Sequence, residues 1–401
     1  MRVELIAAPK ILLADELVGP GWVGFEDGRI VTSGPGSPPG RPEFRLPRGV
    51  LAPGLVDLQL NGAYGHDLAD ADLPGWHEVT TRLVETGVTS FVPTIITAPI
   101  DDLVASMTRY RRLRSEVDAA GGARTLGLHC EGPFLAPGRH GAHDEQLLVD
   151  PTPERVGALL EAGAGDLAYV TLAPEREGAL AAIRRFVAAG IGVAVGHSDA
   201  RDSQVRAAAD AGARLVTHLY NAQRPLHHRD PGVVGAALAD PRLTSGLIAD
   251  LYHVAPTAIR LAFGAAPGRI ALVTDAIAAL GMPAGTYDLG GRTTTVRESA
   301  PPVRDDGTLA GSVLRLDEAV ANTVSSGVDA AAALVAATRV PADAVGRPDL
   351  GRLTPGATAD LVWLDEDWRA VATWVAGRLV HVDTDRAGDL FDLPQPGKEP
   401  A

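Results

Sequence analysis

Four acidic or imidazole side chains come directly after short apolar runs in this chain of 401 residues. The runs are "LGLHCE", "GVAVGH", "LVTH" and "ALVTD", which end in Glu131, His197, His218 and Asp275. One Glu and two His that converge form a typical site for a divalent cation, with a position left open for water. A free Asp beside such an ion usually handles the proton of that water. The sequence therefore predicts metal-assisted hydrolysis.

A lone histidine at a strand end is more often a hydrogen-bonded structural group than a ligand. This interpretation applies to His66, His129, His140, His227 and His228. Glu131 and Asp275 differ, because a carboxylate buried among apolar strands is costly unless an ion or a dense hydrogen-bond network satisfies it. Since four separate strand ends carry suitable side chains, we favour the ion.

The elements that must position these residues are eight short apolar runs, separated by amphipathic stretches of about a dozen residues. The runs are 55–60, 88–94, 125–130, 168–172, 191–196, 214–218, 246–249 and 270–274. This alternation is typical of βα units with a parallel sheet. Eight units predict a (β/α)8 TIM-like barrel, in which the carboxyl ends of the strands carry the chemistry.

The two chain ends have a different pattern, of short strands and turns. We predict that residues 1–50 and 345–401 together form a small β-sandwich domain, and that residues 51–344 form the barrel. An insertion with the pattern of a hairpin, "GTYDLGGRTTTVRES", follows the eighth strand. The last dozen residues are expected to be loosely held.

Composition limits the partners of the protein. The formal charge of −14 argues against a nucleic-acid partner, which needs clustered Lys and Arg. The single cysteine, Cys130, excludes an intrachain disulfide and fits a reducing compartment. The N-terminal segment carries charges too often for a signal peptide or a membrane span. We therefore expect a cytoplasmic protein without a membrane partner.

Six segments carry distinctive motifs. They are "LGLHCEGPFLAPGRHGAH" (126–143), "GHSDA" (196–200), "THLYNAQRPLHHRDPGVVGAAL" (217–238), "IADLYHV" (248–254), "LVTDAIAALG" (272–281) and "GTLAGSVL" (307–314). In this order along the chain they resemble the N-acetylglucosamine-6-phosphate deacetylases of the amidohydrolase superfamily. The segments are long and span most of residues 51–320, so the resemblance is specific.

The first barrel strand carries amides where many related hydrolases have two histidines. "DLQLNG" places Gln59 and Asn61 at these positions, and amides are poor ligands for a zinc-like ion. Some members of the family have His-x-His here and hold a second metal, whereas others have Gln and Asn and keep one. The resemblance thus implies one divalent ion on Glu131, His197 and His218. Zn²⁺ suits these ligands best, and Fe²⁺, Co²⁺ or Mn²⁺ would also be accepted.

The resemblance also implies a reaction, in which a metal-activated water removes the acetyl group of N-acetylglucosamine 6-phosphate and leaves glucosamine 6-phosphate and acetate. Asp275 would take the proton of the water and return it to the sugar nitrogen. His143, in the "GAH" motif, would stabilise the oxyanion.

Further residues match substrate contacts of the family. Arg229 matches the arginine that contacts the phosphate, and the resemblance implies a homodimer in which its loop could reach the partner's site. The other matching positions are Ala142, His143, Asn221, Ala222, His253, Leu309, Ala310, Gly311 and Ser312.

Some departures from the family leave the sugar open between glucosamine and galactosamine. Gln223 replaces a typical Met, His227 and His228 are extra, and Tyr64 and His66 are expected near the mouth of the site.

Two other functions remain open. One is a related amidohydrolase for an N-acyl amino acid or a cyclic amide, although such enzymes usually need the first-strand histidines. The other is a catalytically silent barrel that acts as a binding protein and holds no metal.

Overall fold

The computed structural model describes residues 3–388, and seven short strands come first. They are β1 (Glu4–Ala8), β2 (Ile11–Leu13), β3 (Glu16–Val18), β4 (Gly21–Glu26), β5 (Arg29–Pro35), β6 (Phe44–Arg45) and β7 (Val50–Pro53). Four of them form a sheet in the order β5-β4-β1-β6. The remaining three belong to a second sheet, which the C-terminal strands complete.

Eight parallel strands then form the barrel. In chain order the next elements are β8 (Leu55–Leu60), a small hairpin of β9 (Gly62–Ala63) and β10 (His66–Asp67), β11 (Val88–Ile96), the two-residue strand β12 (Arg124–Thr125), β13 (Leu128–Glu131), β14 (Leu167–Leu172), β15 (Gly192–Val195), β16 (Leu215–Val216), β17 (Thr244–Leu247) and β18 (Ile270–Leu272). The barrel order is β8-β11-β13-β14-β15-β16-β17-β18. These strands overlap the eight predicted runs, and the predicted TIM-like barrel is confirmed.

Bonds between the segments that follow β18 and the end of β8 close the barrel. Leu60 and Ala276 form a parallel bridge. The backbone N–H of Asp275 donates to the carbonyl of Gln59 at 2.9 Å, and that of Asn61 donates to the carbonyl of Ala276 at 2.8 Å. This seam fixes the first strand beside the residue that was predicted to handle the proton.

Helices surround the barrel, and a short last helix packs against the C-terminal strands. They are α1 (Leu73–Leu83), α2 (Ile100–Ala119), α3 (Pro153–Ala162), α4 (Ala179–Ala188), α5 (Asp202–Ala211), α6 (Gly232–Ala239), α7 (Pro256–Ala265), α8 (Leu316–Ser325), α9 (Ala330–Ala337), α10 (Arg339–Ala344) and α11 (Thr384–Ala387). Asp72 accepts from the backbone of Gly75 at the start of α1. Among residues 3–388, none of these helices has the length and apolar character that crossing a membrane requires.

The C-terminal strands join the first ones. After the predicted hairpin, β19 (Gly285–Leu289) and β20 (Arg292–Val296), the chain forms β21 (Leu361–Leu364), β22 (Ala370–Val375) and β23 (Arg378–Val382). A six-stranded sheet has the order β23-β22-β21-β7-β2-β3, so it combines both chain ends. The two sheets share an apolar core that includes Phe25, Trp363 and Trp374. A β-sandwich from both chain ends is thus confirmed.

The domain boundaries remain a prediction. By pairing, β7 belongs to the β-sandwich, although residues 51–53 fall within the predicted barrel range of 51–344. Residues 389–401, which include the tail expected to be loose, lie outside the described residues.

Asp57 lies in the seam of the barrel and is buried. Its Oδ1 accepts from the backbone N–H groups of Gln59 and Thr274, both at 3.2 Å, and its Oδ2 accepts from the Thr274 hydroxyl. Burial raises the pKa of Asp57 from 3.8 to about 7, although the bonds from Thr274 oppose the shift. This carboxyl group therefore stays protonated in the fold where it would ionise in the unfolded chain.

Replacing Asp57 by asparagine should change how stability depends on pH. Because the pKa is raised in the fold, the native state holds an extra proton between about pH 4 and pH 7, and this contribution to stability is lost as pH rises through that window. The amide of the variant cannot ionise, so the Tm of Asp57→Asn minus that of the natural chain should increase from pH 5 to pH 8. Thermal unfolding at several pH values measures this, with Asp305→Asn, at an exposed position, as control. Equal pH profiles for the two variants would contradict the assignment.

Candidate metal centre and active site

The three predicted ligands meet at the mouth of the barrel. Glu131 Oε1 lies 3.1 Å from His197 Nε2 and 3.0 Å from His218 Nε2, and the two nitrogens are 3.0 Å apart. Tetrahedral ligands at ~2.0–2.1 Å from a zinc-like ion are roughly 3.3 Å from one another. All three side chains are at most 5% exposed. The residues present therefore fit a single divalent ion.

The contacts among these side chains shift the pKa values of Glu131 and His218. Burial alone would raise the pKa of Glu131, but its close contacts with the His197 and His218 rings hold it well below its usual value. Burial likewise opposes the charged form of His218, whereas the hydrogen bond and charge of Glu131 raise its pKa. A negative oxygen in contact with two imidazoles is an arrangement to which a cation adds favourably.

His197 presents a lone pair to this cluster. Its Nδ1 lies 3.0 Å from the backbone carbonyl of Arg139, which can only accept, so Nδ1 carries the hydrogen. When the ring is neutral, this leaves Nε2 unprotonated, as a metal ligand must be. His218 differs, because its Nδ1 is buried and has no hydrogen-bond partner among the described residues.

The backbone is strained at these strand ends. His197, His218 and Asp275 have φ values of 47°, 30° and 49°, in the left-handed region. Such conformations cost on the order of 1–3 kcal/mol each and are concentrated at functional sites.

His143 is close enough to form a second ligand set. Ligand atoms of Glu131, His143 and His197 lie within 4.8 Å of one another. However, the backbone N–H of Thr97 donates to His143 Nδ1 at 3.4 Å, and the Thr97 hydroxyl is 2.8 Å from the same nitrogen. Burial, followed by the charge of His197, holds the pKa of His143 well below its usual value, so the ring is neutral. Its hydrogen therefore sits on Nε2, which makes His143 a donor and His218 the better third ligand.

Asp275 lies beside the cluster and contacts both amides of the first strand. Its Oδ1 accepts from Gln59 Nε2 at 3.0 Å and from Asn61 Nδ2 at 2.8 Å. Burial, and then the charge of Glu131, raise the pKa of Asp275 to about 6. A carboxyl group with a pKa close to neutrality can both take and return a proton.

These residues share a cavity of about 270 Å³ at the carboxyl ends of the strands. Its lining includes the ligands, Asp275 and seven of the predicted substrate contacts, which are Ala142, His143, Asn221, Ala222, His253, Leu309 and Gly311. His253 is fixed by Asp250, whose Oδ2 lies 2.7 Å from Nδ1. The cavity thus combines apolar walls with a few convergent polar groups, as small-molecule sites do.

Three of the predicted substrate contacts do not line this cavity. Ala310 is fully buried against Ile277, and the Ser312 hydroxyl donates to the carbonyl of Thr274, so both side chains support the loop. Arg229 is exposed, and its guanidinium lies 2.9 Å from His228 Nε2. Neighbouring positions in an irregular loop point in different directions, which sequence patterns do not specify.

The residues that depart from the family pattern also lie outside the cavity. The Tyr64 hydroxyl donates to the carbonyl of Arg82, and His66 pairs with Glu78, so neither side chain lines the site. Gln223 is buried and bonds to the backbone of Thr217 and Tyr220. His227 and His228 pack on each other at an exposed position.

Several lining residues are not among the predicted contacts. They are Asn61, Ile96, Gly141, Ile248, Leu289 and Thr308. Arg304 lies behind the cavity wall, and it is buried without a carboxylate partner among residues 3–388. It donates to the carbonyls of Ala142 and Leu289 at 2.9 and 3.1 Å, and so joins the hairpin to the loop that carries His143. A buried cation that bonds only to backbone and hydroxyl oxygens cannot be recognised from composition or spacing.

Comparisons with known proteins agree with this geometry. Residues 50–380 match the model of the amidohydrolase family. The chain is 39% identical to N-acetylglucosamine-6-phosphate deacetylase from Vibrio furnissii, over 82% of each chain. It is 38% identical to N-acetylgalactosamine-6-phosphate deacetylase from Escherichia coli O157:H7, over 82% of this chain and 87% of the relative.

A solved structure extends the comparison to the fold. A mutant of N-acetyl-D-glucosamine-6-phosphate deacetylase from Mycobacterium smegmatis, in complex with N-acetyl-D-glucosamine-6-phosphate, is 37% identical and superposes with a TM-score of 0.89. The match covers 95% of this chain and 100% of that one. The chain therefore belongs to the amidohydrolase family.

Proposed function

We propose that this protein hydrolyses the N-acetyl group of N-acetylglucosamine 6-phosphate to give glucosamine 6-phosphate and acetate, in amino-sugar catabolism. The observation that carries the proposal is the Glu131, His197 and His218 cluster beside Asp275, in a chain whose relatives bear the name of this activity. The names of the relatives indicate a phosphorylated amino sugar as the substrate. The site contains the groups that hydrolysis requires.

Glu131, His197 and His218 would hold one divalent ion, with Zn²⁺ preferred for its affinity for imidazole and carboxylate ligands. When bound, such an ion acts as a Lewis acid that lowers the pKa of water and polarises a carbonyl oxygen. Because Gln59 and Asn61 occupy the first-strand positions, we propose a single ion.

Asp275 would accept a proton from the attacking water and then deliver it to the sugar nitrogen, which can leave only as an amine. The neutral His143 would donate from Nε2 to the oxygen that becomes negative in the tetrahedral intermediate. His253, held by Asp250, would also contact the sugar.

For the phosphate we propose Asn221, the backbone at Ala222, and Arg229. Because Arg229 is exposed in one chain, we propose a homodimer in which its loop reaches the site of the partner subunit. The exposed Leu226 in the same loop, 54% accessible, would be covered there. We place the protein in the cytoplasm, since sugar phosphates are cytoplasmic metabolites and the single thiol fits a reducing compartment.

N-acetylgalactosamine 6-phosphate is a second candidate substrate. The relative named for it is 38% identical to this chain, and the one named for the glucosamine compound is 39% identical. These identities do not separate the two sugars.

Acetate release tests the proposal. We would supply phosphorylated and plain N-acetylglucosamine and N-acetylgalactosamine, and an N-acetyl amino acid, to the purified protein loaded with Zn²⁺. We expect the highest kcat/KM on N-acetylglucosamine 6-phosphate. Preference for the amino acid would overturn the substrate class, and no turnover of any compound would favour a silent barrel.

The ligand assignment predicts that two neighbouring histidines respond differently to substitution. His218→Ala should reduce bound metal well below one ion per chain, whereas His143→Ala should retain the ion and lose about 10²–10³-fold in kcat, as oxyanion donors do when removed. Elemental analysis and steady-state kinetics measure the two effects, and thermal unfolding checks the fold. Loss of the ion only in His143→Ala would show that His143, not His218, is the third ligand.

Arg229→Ala should weaken binding of the phosphorylated substrate without changing the chemical step. A lost charge-assisted contact is worth about 1.5–3 kcal/mol, so we expect KM to rise roughly 10- to 100-fold while kcat stays within about twofold. Steady-state kinetics on N-acetylglucosamine 6-phosphate measure this, with the exposed Arg41→Ala as a matched control. An unchanged KM would rule out the phosphate contact.

A further inference from the structure

The two amides of the first barrel strand have unusual partners. Gln59 Nε2 lies 3.1 Å from Glu131 Oε2 and 3.0 Å from Asp275 Oδ1, so one amide group bridges two carboxylates. Asn61 Nδ2 lies 2.8 Å from the same oxygen of Asp275. Both amide side chains belong to residues at most 3% exposed. Neither side chain has a role in the reaction as described so far.

The Gln59 bridge reduces the repulsion between two buried carboxylates. Glu131 and Asp275 are both buried, and two nearby carboxylates without compensation would repel each other. A primary amide has two hydrogens, and Gln59 is placed to give one to each carboxylate while adding no charge. Glu131 Oε1 is left facing His197 and His218, because Gln59 occupies Oε2.

Only one carboxylate oxygen of Asp275 accepts hydrogen bonds from the described residues. Its Oδ1 accepts two amide N–H groups, whereas Oδ2 accepts no hydrogen bond from the residues described. Asp275 lines the cavity, so the free oxygen is the one available for proton transfer.

Asn61 supports this interpretation, because its side chain makes no other hydrogen bond within the described part of the chain. Asn61 Oδ1 is buried and has no partner there, which is costly for a polar atom. A side chain that only filled space at this position would have no need of polar atoms. The backbone seam between Gln59, Asn61 and the segment around Asp275 keeps the donors in register.

We propose that Gln59 and Asn61 are positioning residues for hydrolysis. They fix Asp275 by Oδ1 so that Oδ2 is presented to the reacting water, and Gln59 separates Asp275 from Glu131 with a neutral donor. This proposal rests on the proposed function, because it treats Asp275 as the base.

The test compares Gln59→Leu and Asn61→Leu with Gln146→Leu, which changes an exposed glutamine. We would measure kcat and KM on N-acetylglucosamine 6-phosphate, bound Zn²⁺ and thermal unfolding. General acid–base catalysis is worth about 10²–10⁴-fold, and loss of positioning should remove part of it, so we expect kcat to fall roughly 10- to 100-fold. KM should stay within about twofold, with about one ion per chain retained.

A double-mutant cycle identifies the group through which the amides act. In an Asp275→Asn background, with acetate release followed over hours, adding Asn61→Leu should cost less than about twofold, because no base remains to be positioned. The same fold loss in both backgrounds would overturn the proposal. So would full kcat in Asn61→Leu.

Asn61→Asp gives a further test, which requires neither the Asp275→Asn background nor a correctly folded Gln59→Leu variant. Asn61→Asp keeps the shape of the side chain but places a carboxylate against Asp275, so it should lose more kcat than Asn61→Leu. A smaller loss would indicate a packing role and overturn the proposal. If the natural chain and Gln146→Leu release no acetate, the proposed function fails instead, so the two failures are distinguishable.

Discussion

Two buried carboxylates at one barrel mouth, Glu131 and Asp275, set the conditions that the rest of the site meets. Like charges at short range in a low-dielectric interior must be compensated. On one side the compensation is two imidazoles, which together with Glu131 form a set that fits a cation. On the other side it is the pair of amides on the first strand. The site thus has one half that suits a metal ion and another half in which we propose that protons are transferred.

The barrel, and the meeting of most candidate site residues at one mouth, could be predicted from sequence for one physical reason. Parallel strands place all their carboxyl ends at the same mouth, so a residue such as His197 or His218, which follows an apolar run, must face the others. The βα alternation fixes this without any knowledge of distances. The seam formed by Leu60 and Ala276 then closes the barrel as eight units require.

The finer features depend on contacts between residues far apart in the chain. The choice between His143 and His218 as third ligand depends on Thr97, which lies 46 residues before His143 and determines which ring nitrogen carries the hydrogen. Side-chain directions in the loop after the hairpin are equally unpredictable, since Leu309 lines the cavity and Ala310 is buried behind it. Irregular segments have no periodicity from which a facing side can be inferred.

Arg304 has a consequence for the modularity of the fold. Its guanidinium binds carbonyls of the hairpin insertion and the carbonyl of Ala142, so one side chain fastens a peripheral element to a wall of the active site. The hairpin and this arginine therefore depend on each other structurally. A barrel that exchanged the hairpin alone would leave an orphaned cation or an unsupported wall, and recombination between related barrels should preserve the two together.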